Sequence, residues 1–233
     1  MPVYSSVEEV ISQMTGEVFQ TNKSSPLSGG SISRSQSITG KDGRVFFCKE
    51  NDLSFLPFFE AEALALKQIR KTKTIRTPEV IGFGCTEVAS FLVLEYIQEG
   101  ASSPSGQKEM GHELARLHKI EQPFFGWVRD NCIGSTPQPN PKRENWIEFY
   151  RMHRLQHQFE LASQKGCSFD KAAVLLLNLE SFFLDYRPRP SLLHGDLWGG
   201  NASHDRAGQP FIFDPASYYG DREADIAFTH MFG

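Results

Sequence analysis

Apolar positions near the N-terminus recur as in a short helix from Val7 to Met14, and a polar, glycine-bearing stretch from Asn22 to Ser35 follows. Two extended segments, Ile32 to Thr39 and Arg44 to Glu50, flank Lys41-Asp42-Gly43. An Asp-Gly pair tolerates positive φ, so this pattern predicts a hairpin. Val45, Phe46 and Phe47 give its second arm the β-branched and aromatic character of a strand. Pro57 to Lys71 predicts a helix: Pro57 suits a first turn, and Phe59, Ala63, Leu66 and Ile69 repeat at helical spacing. Basic residues gather at its end, where the helix dipole favours them. Val80 to Gly84 and Phe91 to Ile97 predict two more strands, the second strongly apolar. The pattern up to Ile97 is a small sheet with one helix against it.

The remainder reads as mostly helical. Gln107 to Lys119 places Met110, Leu114 and Leu117 on one face, and Pro123 to Asn140 predicts a loop rich in Gly, Pro, Asn and aromatics. Arg143 to Lys165 and Phe169 to Tyr186 predict two long helices, ended by Gly166 and by Pro188 and Pro190. Short apolar strands then surround a polar loop: Ser191-Leu192-Leu193, the segment from Asn201, and Phe211-Ile212-Phe213. The fold class is α+β, with a sheet-bearing lobe over residues 1–97 and a helical lobe over residues 98–233.

Composition narrows the partners. The 233 residues are enough for a substantial core in one two-lobed unit, and 39% apolar with 22% charged residues describes an ordinary globular chain. The formal net charge is -4 with Lys and Arg scattered, which argues against nucleic acid or an anionic membrane as the main partner. Cys48, Cys85, Cys132 and Cys167 are widely spaced with no C-x-x-C pair, and read as mostly buried thiols of a reducing compartment. The N-terminus lacks the basic-then-apolar pattern of a signal peptide and no apolar run approaches a membrane span, so a cytoplasmic protein is expected.

The most informative stretch is His194-Gly195-Asp196-Leu197-Trp198-Gly199-Gly200-Asn201, followed by Phe211-Ile212-Phe213-Asp214-Pro215. Phosphoryl transfer needs a carboxylate to orient or deprotonate the attacking hydroxyl, and oxygen ligands to hold Mg²⁺ against the phosphates of ATP. An Asp five residues before an Asn, with a second Asp ending the next strand, matches the catalytic and metal-binding spacing of protein kinases. Asp196 is therefore assigned as base, with Asn201 and Asp214 as magnesium ligands. Any one of these alone would read as a turn residue; the ordered set after apolar strands carries the assignment.

Three weaker elements fit the same chemistry. Gly29, Gly30 and Ser31 precede the first hairpin strand, where adjacent glycines let backbone amides approach phosphate, though a lone Gly-Gly is more often only a turn. Strand alternation puts Phe47 and Lys49 on one face, and Glu62 lies on the following helix, the pair a kinase uses to hold the α- and β-phosphates. Glu60 competes as the partner, and a surface lysine with a solvated glutamate is the plain alternative. Phe91 to Ile97 runs from an apolar strand into a polar segment like a kinase hinge. Glu95 and Ile97 are assigned there by position, for backbone contacts to adenine.

The chain resembles the fructosamine (ketosamine-3-) kinase family along nearly its whole length. The resemblance is carried by Ser28-Gly29-Gly30-Ser31-Ile32, Phe59-Glu60-Ala61-Glu62-Ala63-Leu64, Leu94-Glu95-Tyr96-Ile97 and Glu113-Leu114-Ala115-Arg116-Leu117-His118. Further matches are Phe125-Gly126-Trp127, Asp130-Asn131, Gly134-Ser135-Thr136-Pro137-Gln138, His194 to Asn201 and Tyr219 to Asp225. It implies a bilobal protein-kinase-like fold, ATP with Mg²⁺, and phosphorylation of the 3-hydroxyl of ketosamines, whose unstable product gives deglycation repair. It also implies that Lys49 and Glu62 form the ion pair and that Trp198 is a candidate sugar platform, the alternative being a packed core tryptophan. Asp225 is expected to brace the catalytic loop, and His118 and His194 to be structural. Ser31 stands where some members carry a cysteine, so no thiol switch is inferred there. Family members continue beyond the position of Gly233 through further helices, so some apolar surface of the large lobe is expected to lack cover. The rival readings are an aminoglycoside or choline kinase, which lack the Leu-Trp-x-Gly-Asn continuation, and a non-catalytic kinase-fold binding protein.

Overall fold

A computed structural model describes residues 3–27 and 32–232. Helix α1 (Val7–Thr15) starts at Ser6, whose hydroxyl accepts a hydrogen bond from Glu9 N at 3.3 Å, and stops at Gly16 in the left-handed region (φ 73°). Strands β1 (Thr21–Pro26), β2 (Arg34–Gly40), β3 (Val45–Asn51), β4 (Val80–Cys85) and β5 (Ser90–Glu95) form one antiparallel sheet. Their order is β1-β2-β3-β5-β4. The β2–β3 hairpin closes on Gly43 at φ 86°, with Asp42 Oδ1 accepting from Arg44 N at 2.9 Å. Strand β1 departs from the sequence expectation of a polar connection. Thr-Asn-Lys-Ser-Ser-Pro has no apolar alternation to announce a strand; pairing with β2 at the sheet edge holds it, where Lys23 and Pro26 are tolerated.

Alternation along β3 and β5 separates the two faces of the sheet. Phe46, Cys48, Phe91 and Val93 pack with Val10 and Ile11 of α1. Leu92 and Leu94 face helix α2 (Leu56–Thr72), where Phe59, Ala63 and Leu66 are buried against them. Lys49 therefore points to the α2 side, as its spacing from Phe47 predicts. A second stripe of α2, Ala61, Ala65 and Ile69, belongs to the main core of the helical half. Small alanines there let α2 lie close to both layers at once.

The helical half begins with α3 (Pro104–Leu117), capped by Ser103 and burying Met110 and Leu117. The loop expected over Pro123 to Asn140 instead contains a hairpin, β6 (Asn131–Ile133) with β7 (Thr136–Gln138). The helix expected from Arg143 starts later, at Asn145 as cap, and runs as α4 (Trp146–Tyr150), a wide π turn (Arg151–Gln156) and α5 (His157–Gln164). The expected long helix over Phe169 to Tyr186 is broken. Helix α6 covers only Ala172–Leu177, Asn178 turns its amide back onto the Val174 carbonyl at 2.8 Å, and a 3₁₀ turn, Leu179–Phe183, follows. No residue of α6 is fully buried, so little packing extends it. Phe169, Val174, Leu177, Phe182 and Leu184 are exposed. Two short pairs, β8 (Ser191–Leu192) with β11 (Tyr219–Gly220) and β9 (Ala202–His204) with β10 (Pro210–Ile212), and helix α7 (Glu223–Phe232) complete the fold.

The thiols are less buried than expected: Cys48 is buried, Cys85 and Cys132 are intermediate, and Cys167 is exposed. Among the described residues no helix is long and apolar enough to cross a membrane.

The sheet joins the helical half through a polar clamp. Arg76 donates from Nη2 to Glu95 Oε1 at 2.7 Å and from Nη1 to Asp205 in the β9–β10 turn. Glu95 Oε2 accepts in turn from Glu79 N at 3.1 Å. Gly100 N donates to the His204 carbonyl at 2.8 Å, and a Cβ at Gly100 would lie 2.5 Å from the Asp205 carbonyl oxygen, so the backbones touch there. Phe59, fully buried between sheet and helix, is the anchor of the α2 contact. Phe59→Ala is expected to lower stability by about 3–5 kcal/mol, read as a reduced urea midpoint with unchanged slope.

Candidate active site

Strand β8 leads into His194-Gly195-Asp196, and this turn is fixed by a buried carboxylate. Asp225, on the first turn of α7, accepts from His194 N and Gly195 N, both at 2.8 Å, and lies 2.9 Å from His118 Nε2. Gly195 has φ 86°, and a Cβ there would meet the Ala216 carbonyl oxygen at 2.1 Å, so only glycine fits. The His194 ring donates from Nε2 to the Phe213 carbonyl at 2.8 Å and accepts from Asp196 N on Nδ1 at 3.3 Å. Asp225 thus braces the loop, and both histidines hydrogen-bond within the same support.

Asn201 donates its amide to both the carboxylate (3.0 Å) and the carbonyl (2.9 Å) of Asp196. Its backbone carbonyl accepts from Phe213 N at 3.0 Å, which ties the loop to the strand before Asp214. Asp214 itself sits in the left-handed region at φ 57°, shared among described non-glycine residues only with Lys73. Such a conformation costs of order 1 kcal/mol or more and persists where the surroundings over-determine it. Here Gln138 donates to the Ala216 carbonyl at 3.1 Å and Asn131 to the Ser217 carbonyl at 2.8 Å. Asn140 and Arg154 extend this buried network, Asn140 donating to Asn131 at 3.1 Å and Arg154 to Asn140 at 2.7 Å.

Lys49 completes the constellation. Its Nζ lies 2.8 Å from Glu62 Oε1 and 2.5 Å from Asp214 Oδ1. Glu62 is the partner on α2; Glu60 instead accepts from Arg129 at 3.2 Å. Burial acts to lower the Lys49 pKa, but the charges of Asp214 and Glu62 and the hydrogen bonds they accept outweigh it and hold the ammonium above its ordinary range. Burial pushes the Glu62 carboxyl up to about 7 against the opposing charge of Lys49. Asp196 is also raised, by burial first, with Asn201 and His194 opposing and the charges of Asp214 and Asp225 adding.

Two cavities meet at this cluster. One, of about 450 Å³, lies along the end of β5 and is lined by Phe47, Glu95, Ile97, Phe211 and Phe213. The other, of about 330 Å³, lies between the start of α2 and the β6–β7 hairpin and contains Lys49, Glu62, Asp196 and Trp198. Ser35, Asn201 and Asp214 line both. Trp198 is 40% exposed, so it is not a packed core residue; its ring lies over Gly200, where a Cβ would come within 2.3 Å of it. The Glu95 carboxylate is turned to Arg76 while the residue lines the first cavity. Gly29, Gly30 and Ser31 lie outside the described residues; on either side of them, Leu27 lines the first cavity and Ile32 and Ser33 the second.

The fructosamine kinase family model matches residues 3–233. The chain belongs to the fructosamine kinase family. It is 39% identical over 239 residues to a Synechocystis protein named probable ketoamine kinase, covering 100% of this chain and 81% of that protein. The crystal structure of a Haemophilus somnus protein assigned as a fructosamine-3-kinase superposes with TM-score 0.91 at 29% identity, covering 97% of this chain and 77% of the other. An aminoglycoside-3'-phosphotransferase of type VIII superposes with TM-score 0.51 at 19% identity, covering 91% and 76%. The fold is thus the protein-kinase-like α+β fold expected from the sequence.

For this fructosamine kinase family member, sequence reasoning gave no role to Asn131 and Gln138, although both stand in motifs that resemble the family. Their signal is burial: each is a polar side chain in the core whose hydrogen bonds go to the segment after Asp214. Cys132, Ile133, Phe55 and Phe58, which line the second cavity, also went unassigned.

The Asp225 anchor yields a prediction with a sign. Burial acts to raise its pKa, but the hydrogen bond and charge of His118, the His194 ring and the Gly195 N–H together hold it below the ordinary range. Its contribution to stability is therefore full above the ordinary Asp pKa of about 3.9 and is lost as pH falls through the lower folded-state value. Asp225→Asn is expected to lose about 3–5 kcal/mol at pH 7. Urea unfolding should show the gap narrowing toward acid, and a gap of constant size down to the acid transition would contradict the assignment.

Proposed function

We propose that the protein transfers the γ-phosphate of ATP to the 3-hydroxyl of ketosamines, the sugar adducts of amines. The observation that carries this reading is the convergence of Lys49, Glu62, Asp196, Asn201 and Asp214 where the two cavities join. The cavity along β5 suits a nucleotide, with Glu95 and Ile97 offering backbone groups to adenine and Phe47 and Phe213 its flat faces. The cavity holding Asp196 and Trp198 suits a hydroxylated acceptor, for which an exposed indole is a fitting platform. The names of the related ketoamine and fructosamine-3-kinase proteins support the same acceptor class.

The residues present also fit Mg²⁺. Asp214 supplies carboxylate oxygen, and Asn201, whose amide nitrogen is spent on Asp196, has its amide oxygen left for a cation. Among the described residues no group of three His, Cys, Asp or Glu could hold a metal alone, and a Mg²⁺ held by one or two side chains takes its other ligands from phosphate and water. When bound, Mg²⁺ supplies neutralisation of the phosphate charge. Lys49, oriented by Glu62, places its ammonium toward the phosphates, and the backbone of Gly29, Gly30 and Ser31 is assigned to cover them.

Asp196 accepts the hydrogen bond of the substrate hydroxyl and takes its proton as the oxygen–phosphorus bond forms. The bond from the γ-phosphorus to the bridging oxygen breaks, and ADP leaves. A carboxylate with a raised pKa, held by Asn201, is suited to this task. The 3-phosphate product is unstable and releases the amine, which makes deglycation the proposed role.

ATP consumption by the purified protein with Mg²⁺ tests this, with ribulosamine and fructosamine adducts compared against choline and an aminoglycoside. Ketosamine-dependent turnover is expected. Asp196→Asn should lower it about 10³-fold with nucleotide binding retained. Turnover kept in Asp196→Asn would remove that residue from the base role, and preference for choline or the aminoglycoside would move the protein to the rival substrate class.

A further inference from the structure

One cation behind the site has no part in the transfer chemistry. Arg154 lies in the π turn between α4 and α5, and π turns occur frequently at functional sites. Its guanidinium sits over two rings, with Cζ 4.1 Å from the centroid of Tyr218 and 4.7 Å from that of Phe149. It donates from Nη1 to the Pro139 and His153 carbonyls, both at 2.8 Å, and from Nη2 to Asn140 Oδ1 at 2.7 Å. None of these partners is a carboxylate, and Nε is shut off from solvent with no hydrogen-bond partner among the described residues. Taking a charge from water with no opposite charge to meet it costs stability. Its distinguishing property is direction: a guanidinium can only donate hydrogen bonds.

That direction propagates. Arg154 fixes Asn140 with its oxygen toward the guanidinium, which turns Asn140 Nδ2 to Asn131 Oδ1 at 3.1 Å. Asn131 Oδ1 also accepts from Gln138 Nε2 at 2.8 Å, so its Nδ2 is left for the Ser217 carbonyl at 2.8 Å. Hydrogen bonds donated in one sense thus run from the charge to the backbone beyond Asp214, and bonds in such a chain strengthen one another. The same guanidinium stacks on the ring of Tyr218, the next residue, while Gln138 holds the Ala216 carbonyl at 3.1 Å. Asp214 stays in the left-handed region at φ 57° because the chain after it is gripped at each of these points.

We propose that Arg154 is a positioning residue for the cation site. By setting the sense of the Asn140–Asn131 chain it holds the segment after Asp214, and with it the Asp214 carboxylate, in the geometry that receives Mg²⁺. This rests on the kinase reading above. Arg154 lines neither cavity, so it acts only through its neighbours.

The test separates metal binding from nucleotide binding. Mn²⁺, whose free ion is read by electron paramagnetic resonance, is titrated into the protein with a non-hydrolysable ATP analogue. Affinity for the analogue without metal is measured by calorimetry. Arg154→Met removes every donor and should weaken Mn²⁺ binding about tenfold, the size expected when a group that orients a metal ligand is lost. Its metal-free affinity for the analogue should be unchanged. Asn140→Asp still accepts from Arg154 but cannot donate to Asn131, and should give the same loss. It keeps the charge, and decides the matter if Arg154→Met does not fold. Arg154→Lys, which again can only donate, should bind Mn²⁺ nearer to wild type than Arg154→Met does. Unchanged Mn²⁺ affinity in Asn140→Asp, or equal losses of Mn²⁺ and metal-free analogue binding, would overturn the proposal while leaving the kinase reading intact. An Arg154→Lys protein as weak for Mn²⁺ as Arg154→Met would overturn it too. Wild type that binds no analogue overturns the kinase reading and the proposal with it.

Discussion

Everything in the site is arranged around one buried ammonium. Lys49 comes from the sheet, Glu62 from the helix behind it, and Asp214 from the helical half, so a single cation joins three parts of the chain. A charge in such surroundings is stable only when carboxylates are correctly placed against it, and Lys49 takes one from the helix and one from the helical half. The register of β3, the rotation of α2 about its axis and the approach of the two halves are therefore mutually constrained. The split apolar faces of α2, one toward the sheet and one toward the main core, supply the packing that meets this constraint.

The other side of the site is held by backbone rather than by charge alone. Asp225 gathers two amides of the turn before Asp196, and Asn131 and Gln138 gather two carbonyls beyond Asp214. Between these supports lie the glycine that admits no side chain, Gly195, and the left-handed Asp214. Strain of this kind survives because the hydrogen bonds on either side leave the segment no alternative. Asp196, Asn201 and Asp214 are thus presented by short loops whose shape is set from behind.

What the sequence discloses follows from how local each signal is. The Asp42-Gly43 turn, the α2 period and the alternation that turns Lys49 inward are encoded over a few residues, and each appears in the structure as expected. Asp196, Asn201 and Asp214 stood out in the sequence because they are polar residues at fixed spacing set between short apolar strands. Strand β1 was hidden because an edge strand can be polar throughout. The β6–β7 hairpin was hidden because three-residue strands with Pro and Gln carry no period. The apolar run over 172–177 promised a long helix, but without a buried face its helix closes after six residues. Asn131 and Gln138 show the deeper limit: their partners are backbone carbonyls some eighty residues away, and nothing near them in sequence marks the pairing.

The clamp at Arg76 has a thermodynamic consequence. By holding Glu95 at the end of β5 and Asp205 in the opposite turn, it sets the separation of the segments beside the nucleotide-sized cavity. A cleft with its walls already spaced gives up little conformational freedom when a ligand enters, so more of the contact energy appears as affinity. Preorganisation of this kind places the entropic cost of ordering the cleft in folding, before any ligand arrives.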